Sequence, residues 1–183
     1  KVGKHLAGHL LDDGAAVVAT DVSDKALAWA RDTNPQIDLV DDVAALVAAD
    51  IDVYAPCALG GALDDDTVSV LRAKVVAGGA NNQLAHPGIE KVLADRGILY
   101  APDYVINSAA PYAVIGAGEL AYSPERLEVS VQGVAEALGL VFRRARAEGA
   151  PTAEIADRIA EERIASAAHL RAMAPGTGAV TRA

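Results

Sequence analysis

Two residues near the start of the chain have types and spacing suited to holding a nucleotide. Gly3 opens the first helical stretch and Asp21 closes the short apolar run that follows it. In a dinucleotide-binding turn, a glycine at this place lets helix and strand pack closely, and the helix N-terminus receives the pyrophosphate. A carboxylate about 20 residues further on accepts hydrogen bonds from ribose hydroxyls. The same pair also reads as an ordinary helix glycine and a strand-terminal aspartate, and both readings stand on these residues alone. On the first reading Asp21 repels a 2′-phosphate, Val22 and Ser23 supply no cation, and Lys25 is the nearest one. The dinucleotide is then NAD rather than NADP.

Other reactive side chains suggest less. His5 and His9 are spaced i,i+4 on one helix, a spacing that can ligate a metal, but no third ligand accompanies them and an exposed pair is expected. Cys57 is the single cysteine, so no intrachain disulfide forms and nothing argues for an oxidising compartment. No histidine lies near Cys57 in sequence, and buried packing is expected of it rather than nucleophilic chemistry. The net charge of −9 disfavours a nucleic-acid partner. The basic cluster Arg143, Arg144 and Arg146 falls within one helical turn and reads as a solvated helix face. No apolar run reaches the ~18 residues of a membrane span. The opening KVGKHLAGHLLDDG lacks the cleavage site of a signal peptide, so a cytoplasmic location is expected.

These residues are positioned by alternating elements. The pattern predicts a helix over 1–11 stopped at Gly14, a strand over 15–20, a helix capped by Ser23 through Trp29, a strand over 37–40 and a helix over 43–49. Strands over 51–55, 74–77 and 98–100 follow, separated by helices over 64–71 and from Pro87 to Arg96. Leu127, Val131, Val134, Leu138 and Val141 recur at helical spacing and predict a long helix from Pro124 to Glu148. A second runs from Pro151 to Met173. Hydrophobic residues make up 52% and aromatics 4%, an alanine-rich balance suited to closely packed helices. The fold class is α/β, a Rossmann-like doubly wound parallel sheet with helices on both faces. A nucleotide-binding domain is expected over 1–123, C-terminal helices over 124–173, and a tail over 174–183.

Three segments carry a stronger signal. They are Tyr54-Ala55-Pro56-Cys57-Ala58-Leu59-Gly60-Gly61, then Ala80-Asn81-Asn82-Gln83-Leu84, then Gly97-Ile98-Leu99-Tyr100-Ala101-Pro102-Asp103-Tyr104-Val105-Ile106-Asn107. In this order they resemble the NAD-binding domain of the glutamate, leucine, phenylalanine and valine dehydrogenases. The run Ala156-Asp157-Arg158-Ile159-Ala160-Glu161-Glu162-Arg163-Ile164 is similar to the closing helix of the leucine, valine and phenylalanine branch. The likeness covers nearly the whole chain and is nearest the valine and leucine dehydrogenases.

That resemblance implies NAD-dependent oxidative deamination of an L-amino acid to a 2-oxo acid and ammonia, with a branched-chain substrate expected. It places Gly3, Asp21, Val22, Cys57, Ala58, Leu59, Ala80, Asn81 and Asn107 at the cofactor, and Asn107 at the substrate as well. For Asn81 and Asn82 a plain turn pair is the other reading. Asp103 is expected to fix its loop. The family's two lysines and aspartate lie on a separate N-terminal domain. No catalytic residue is therefore assigned in this chain, and Lys74 and Lys91 read as surface charges. The first strand and the N-terminal substrate domain are expected to be absent from this chain, and the complete protein to be a homo-oligomer.

The resemblance breaks after Asn107. Where the family has Ala-Gly-Gly, this chain reads Ser108-Ala109-Ala110-Pro111, and the segment through Gly118 is slightly longer. Methyl groups in place of glycines beside a ligand narrow a pocket. The altered segment motivates one alternative, a family member acting on an unusual amino or oxo acid in biosynthesis; the expected absence of the N-terminal domain fits another, a non-catalytic NAD-binding module.

Overall fold

The structure, a computed structural model, describes residues 2–109 and 122–173, with side chains through 169. Most of the altered segment after Asn107 and the expected tail lie outside the described residues. The elements run α1 (Val2–Asp12), β1 (Val18–Ala19), α2 (Asp24–Thr33), β2 (Asp38–Leu39), α3 (Val43–Ala48), β3 (Val53–Tyr54), α4 (Asp65–Val70), β4 (Val75–Val76), α5 (Ile89–Asp95), β5 (Leu99–Tyr100), α6 (Asp103–Ile106), α7 (Pro124–Glu148) and α8 (Thr152–Met173).

Every described strand pair is parallel, and the pairs form two sheets: β1 with β2, and β3-β4-β5. The chain is thus a mixed α/β structure whose ladder is divided rather than one continuous sheet. Each strand is shorter than its apolar run, because the ladder pairs only two residues per strand while flanking residues leave it to form the loops.

Local chemistry sets the helix limits. Asp42 and Asp64 cap α3 and α4 through their carboxylates, to Ala45 N–H at 2.8 Å and Thr67 N–H at 2.7 Å. α2 runs four residues past Trp29 and stops at Asn34, where Pro35 forbids continuation. α5 begins at Ile89, not at Pro87. Gly88 caps it at φ 105°, a left-handed conformation that displaces the proline from the first turn. Gly149, at φ 64°, closes α7.

The main core lies between β3-β4-β5 and helices α3, α4 and α5. Leu63, Val68, Leu71, Val76, Ile89 and Leu93 are fully buried there. Each such side chain contributes about 1.5–3 kcal/mol by leaving water. Arg96 ties α4 into this layer, donating to the carbonyls of Val68 and Leu71 that α4's end leaves unpaired. A second cluster of Val141, Ala145, Ile155, Ala156 and Ile159 joins α7 to α8, with Val105 of α6 against it. The stripe of α7 is buried only toward its C-terminal end: Val141 is buried but Val131 is 44% exposed. The arginine cluster divides likewise. Arg143 and Arg146 are exposed, but Arg144 is half-buried and pairs with Glu148 at 3.2 Å and Glu162 of α8 at 2.7 Å. It is an interhelix bridge rather than part of a plain solvated face.

His86 joins the loop before α5 to the start of α4. Its Nδ1 lies 3.0 Å from the Pro87 carbonyl and its Nε2 2.8 Å from the Asp65 carboxylate. Both partners only accept, so both nitrogens donate only in the imidazolium. The Pro87 carbonyl first, and then Asp65, raise its pKa above the ordinary 6.5. A raised folded-state pKa means that the stabilisation is fully present below the unfolded value and fades as pH rises through the folded one. Urea unfolding should therefore show a larger loss from His86→Gln at about pH 5.5 than at about pH 8.5. Equal losses at both would show that the imidazolium contributes nothing.

Candidate functional site

The loops at the carboxyl ends of β3 and β4 are locked together by backbone. Ala80 N–H donates to Pro56 O at 2.9 Å and Ala77 N–H to Tyr54 O at 3.0 Å. Further out, Gly61 N–H donates to Asn82 O at 2.7 Å, Leu63 N–H to Gln83 O at 2.9 Å, and Ala85 N–H to Leu63 O at 2.9 Å. Glycines permit the approach. A Cβ on Gly78 would lie 2.2 Å from Pro56 O, and one on Gly60 2.9 Å from the carbonyl oxygens of both Asn81 and Asn82. Asn82 takes a left-handed turn conformation at φ 51°, which asparagine tolerates better than most residues.

The N-terminus of α1 sits on this seam. A Cβ on Gly3 would lie 3.2 Å from Cys57 Cβ, and one on Gly79 2.6 Å from a Val2 methyl and 3.9 Å from Cys57 Sγ. Cys57 is thus wedged between Gly3 and Gly79, half-buried rather than fully buried as its type led one to expect. Ala80 is buried, whereas Ala58 is exposed and Leu59 82% exposed.

On the other side of the seam, Asn107 Nδ2 donates to Asn81 Oδ1. Asn107 ends α6, a short helix for which the sequence pattern gave no sign. The structure therefore gathers Gly3, Cys57, Ala58, Leu59, Ala80, Asn81 and Asn107 about the ends of β3 and β4. Asp21 and Val22 stand apart, on the loop after β1 in the other sheet. There Asp21 Oδ1 accepts from Ser23 N–H at 2.9 Å, which orients the carboxylate, and Val22 is completely exposed.

The remaining residues singled out earlier fall on the surface. His5 and His9 are exposed on α1. Lys74 pairs with Asp52 at 2.6 Å in the open. Lys4 lies 3.8 Å from the centre of the Trp29 ring, joining α1 to α2.

Several residues that matter here were not assigned roles from sequence. Gln83 is fully buried, its carboxamide donating to Gly78 O at 2.8 Å and Ala80 O at 2.9 Å. Its backbone N–H donates to Asp103 Oδ2 at 2.6 Å, so Asp103 does fix its loop. Thr152 Oγ1 donates to Tyr100 O at 2.6 Å, and the Tyr104 hydroxyl donates to Asp157 at 2.8 Å. These bonds pin α8 to the strand and helix that carry Asn107. Burial pushes the Tyr100 phenol up to about 12 and also raises that of Tyr104, so both stay protonated, Tyr104 donating to Asp157 while the Tyr100 oxygen accepts from Asp103 N–H. The one available signal for Gln83 was its place inside a quoted motif, since polarity alone does not mark a buried glutamine.

Fold and site together define an α/β chain whose glycine-bearing loops gather at the carboxyl ends of parallel strands, the edge where open α/β sheets bind ligands. The chain belongs to the glutamate/leucine/phenylalanine/valine dehydrogenase family, whose profile matches residues 11–171. It is 51% identical over 169 residues to the valine dehydrogenase of Streptomyces virginiae, covering 91% of this chain and 47% of that protein. It is 39% identical over 166 residues to the leucine dehydrogenase of Geobacillus stearothermophilus, covering 89% and 44%. Among solved structures, L-tryptophan dehydrogenase from Nostoc punctiforme matches with a TM-score of 0.85 at 32% identity, over 91% of this chain and 49% of that one. The chain spans about half the length of the curated relatives it matches.

The glycine contacts give opposite expectations for two similar substitutions. Gly78→Ala sets a methyl against backbone that cannot yield, and should cost about 3 kcal/mol or more in urea unfolding. Gly8→Ala, in α1 with nothing within 4 Å of the new methyl, should add about 0.5–1 kcal/mol. A neutral Gly78→Ala would mean that the seam is looser than described.

Proposed function

We propose that this chain is the cofactor-binding part of an NAD-dependent L-amino-acid dehydrogenase acting on a branched-chain substrate, valine or leucine. The observation that carries the reading is the 51% identity to a valine dehydrogenase over 91% of this chain. On this reading residues 1–123 are a Rossmann-like domain of the doubly wound type, 124–173 are helices packed on it, and 174–183 are a tail. The protein works in the cytoplasm as a homo-oligomer. Among the described residues no helix is long and apolar enough to cross a membrane.

The residues present fit NAD. The first turn of α1, with no side chain at Gly3, offers free N–H groups for a pyrophosphate above the β3 and β4 loops. Asp21 and Val22 take the adenosine end. One carboxylate oxygen of Asp21 is held by Ser23, which leaves the other for ribose hydroxyls. Val22 and Leu59 are unburied apolar side chains that a bound base or ring would cover. Cys57, Ala58 and Ala80 supply small walls, and Asn81 and Asn107 reach the nicotinamide end, Asn107 touching substrate as well. When bound, NAD supplies the hydride acceptor for the substrate Cα–H. This chain's residues orient that acceptor and hold the amino acid beside it. Water then converts the resulting imine to the 2-oxo acid and ammonia.

The test uses the full-length gene product and follows NADH absorbance with L-valine, L-leucine, L-phenylalanine, L-tryptophan and L-glutamate, each with NAD and NADP. Turnover of valine or leucine with NAD alone is expected. Asp21→Ala should weaken NAD about 10- to 100-fold, the worth of a hydrogen bond to a charged group, and narrow the preference over NADP. NAD binding with no turnover of any of these amino acids would overturn the substrate assignment and move the reading to an unusual amino or oxo acid. Absence of NAD binding would overturn the cofactor site.

A further inference from the structure

Asn81 and Asn107 belong to a closed ring of bonds. The chain leads from Asn81 to Gln83. Gln83 N–H donates to Asp103 Oδ2 at 2.6 Å, a charge-assisted bond inside a buried site. Asp103 opens α6, and its backbone carbonyl accepts from Asn107 N–H at 2.8 Å. Asn107 Nδ2 returns to Asn81 Oδ1. Three further bonds brace the ring: Tyr100 Oη accepts from Asp103 N–H at 3.3 Å, and the Gln83 carboxamide donates to the carbonyls of Gly78 and Ala80. Once the ring is closed, Asn81 keeps its amide NH₂ and Asn107 its amide oxygen without another partner among the described residues. One donor and one acceptor are thereby set side by side.

We infer that Asp103, acting through Gln83, is a positioning residue that sets the spacing and orientation of the Asn81–Asn107 carboxamide pair. The inference rests on the cofactor-site reading above and deepens it. Asp103 is 8% exposed, and its carboxylate is taken up by the Gln83 backbone N–H. Its carboxylate fixes the start of α6 against the β4 loop, and α6 is short, so a shift at its first residue carries to Asn107 at its end. Among the described residues, the Asp21 loop and α1, assigned above to the adenosine and the pyrophosphate, share no hydrogen bond with this ring.

Two variants of the full-length protein, Asp103→Ala and Asp103→Asn, test this. Asp103→Ala should lower kcat/KM for the amino acid by about 100-fold, the cost of a displacement on the order of 1 Å. KM for the amino acid should rise and NAD affinity should change little. Asp103→Asn keeps an acceptor for Gln83 N–H and should recover most of the loss. A merely structural role would reduce the active fraction, and so kcat, with KM unmoved. That result, or an Asp103→Ala enzyme with wild-type kinetics, overturns the inference.

A second readout needs no activity. In nitrogen-15 NMR spectra, Asp103→Asn, which weakens the bond to Gln83 N–H without removing it, should move the Gln83 backbone amide and, by a smaller shift, the Asn107 side-chain NH₂ signals. Asn107 signals that stay in place while Gln83 moves would overturn the inference even where Asp103→Ala does not fold. If the wild-type protein turns over none of the amino acids but this NMR coupling holds, the substrate reading has failed and the positioning role stands.

Discussion

The approach of two backbone segments, at Pro56 and at Gly78, governs the rest of this structure. Carbonyl and amide groups there lie too close for any side chain at residue 78, and the contact sets how the loops after β3 and β4 run beyond their strands. The outer ladder from Gly61 to Ala85 follows from it, as does the ledge on which the N-terminus of α1 rests. Backbone bonds of this kind leave little freedom, because each buried amide must find an acceptor or bear the loss. The loops that would meet a ligand are therefore as firmly built as the strands behind them.

Around that seam the polar groups are used sparingly. Gln83 is buried with both amide protons committed to carbonyls, and Asp103 accepts from its backbone. A half-satisfied buried network would be worse than an apolar one, since an unpaired polar group in a poorly polarisable interior is costly. The Gln83 carbonyl oxygen is the exception, buried without a described partner. The helices α7 and α8 are fastened to the same region through Thr152, Tyr104 and Val105. The C-terminal part thus bears on the end of α6, where Asn107 stands. Helices remote in sequence from the loops after β3 and β4 in this way take part in holding them.

Much of the architecture was legible from short-range pattern. Apolar runs of strand length alternating with helical stretches indicated parallel pairing. Ser23 marked a helix start by chemistry that acts within three residues; Asp42 and Asp64 cap in the same way without having been singled out, and Gly149 ends α7 through its own backbone freedom. Where a local rule misled, a stronger local effect intervened. Pro87 suits a first helical turn, but Gly88 beside it adopts a left-handed conformation that no helix continues. α6 escaped notice because four residues are too few to show a period.

The site was legible only in part. Residue type and spacing singled out Gly3 and Asp21, whereas the asparagines and the small residues near Cys57 were pointed to by the resemblance to the dehydrogenase family. The sequence determined the order of the strands and of the longer helices, the cap at Ser23 and the family to which the chain belongs. Tertiary structure alone decided that Gly78 must be glycine, that Cys57 is wedged between Gly3 and Gly79, that Arg144 bridges two helices, and that Asn81 meets Asn107. Each of these joins positions distant along the chain. Propensity and periodicity act over a few residues, whereas such contacts exist only once parallel strands bring their carboxyl ends to one edge.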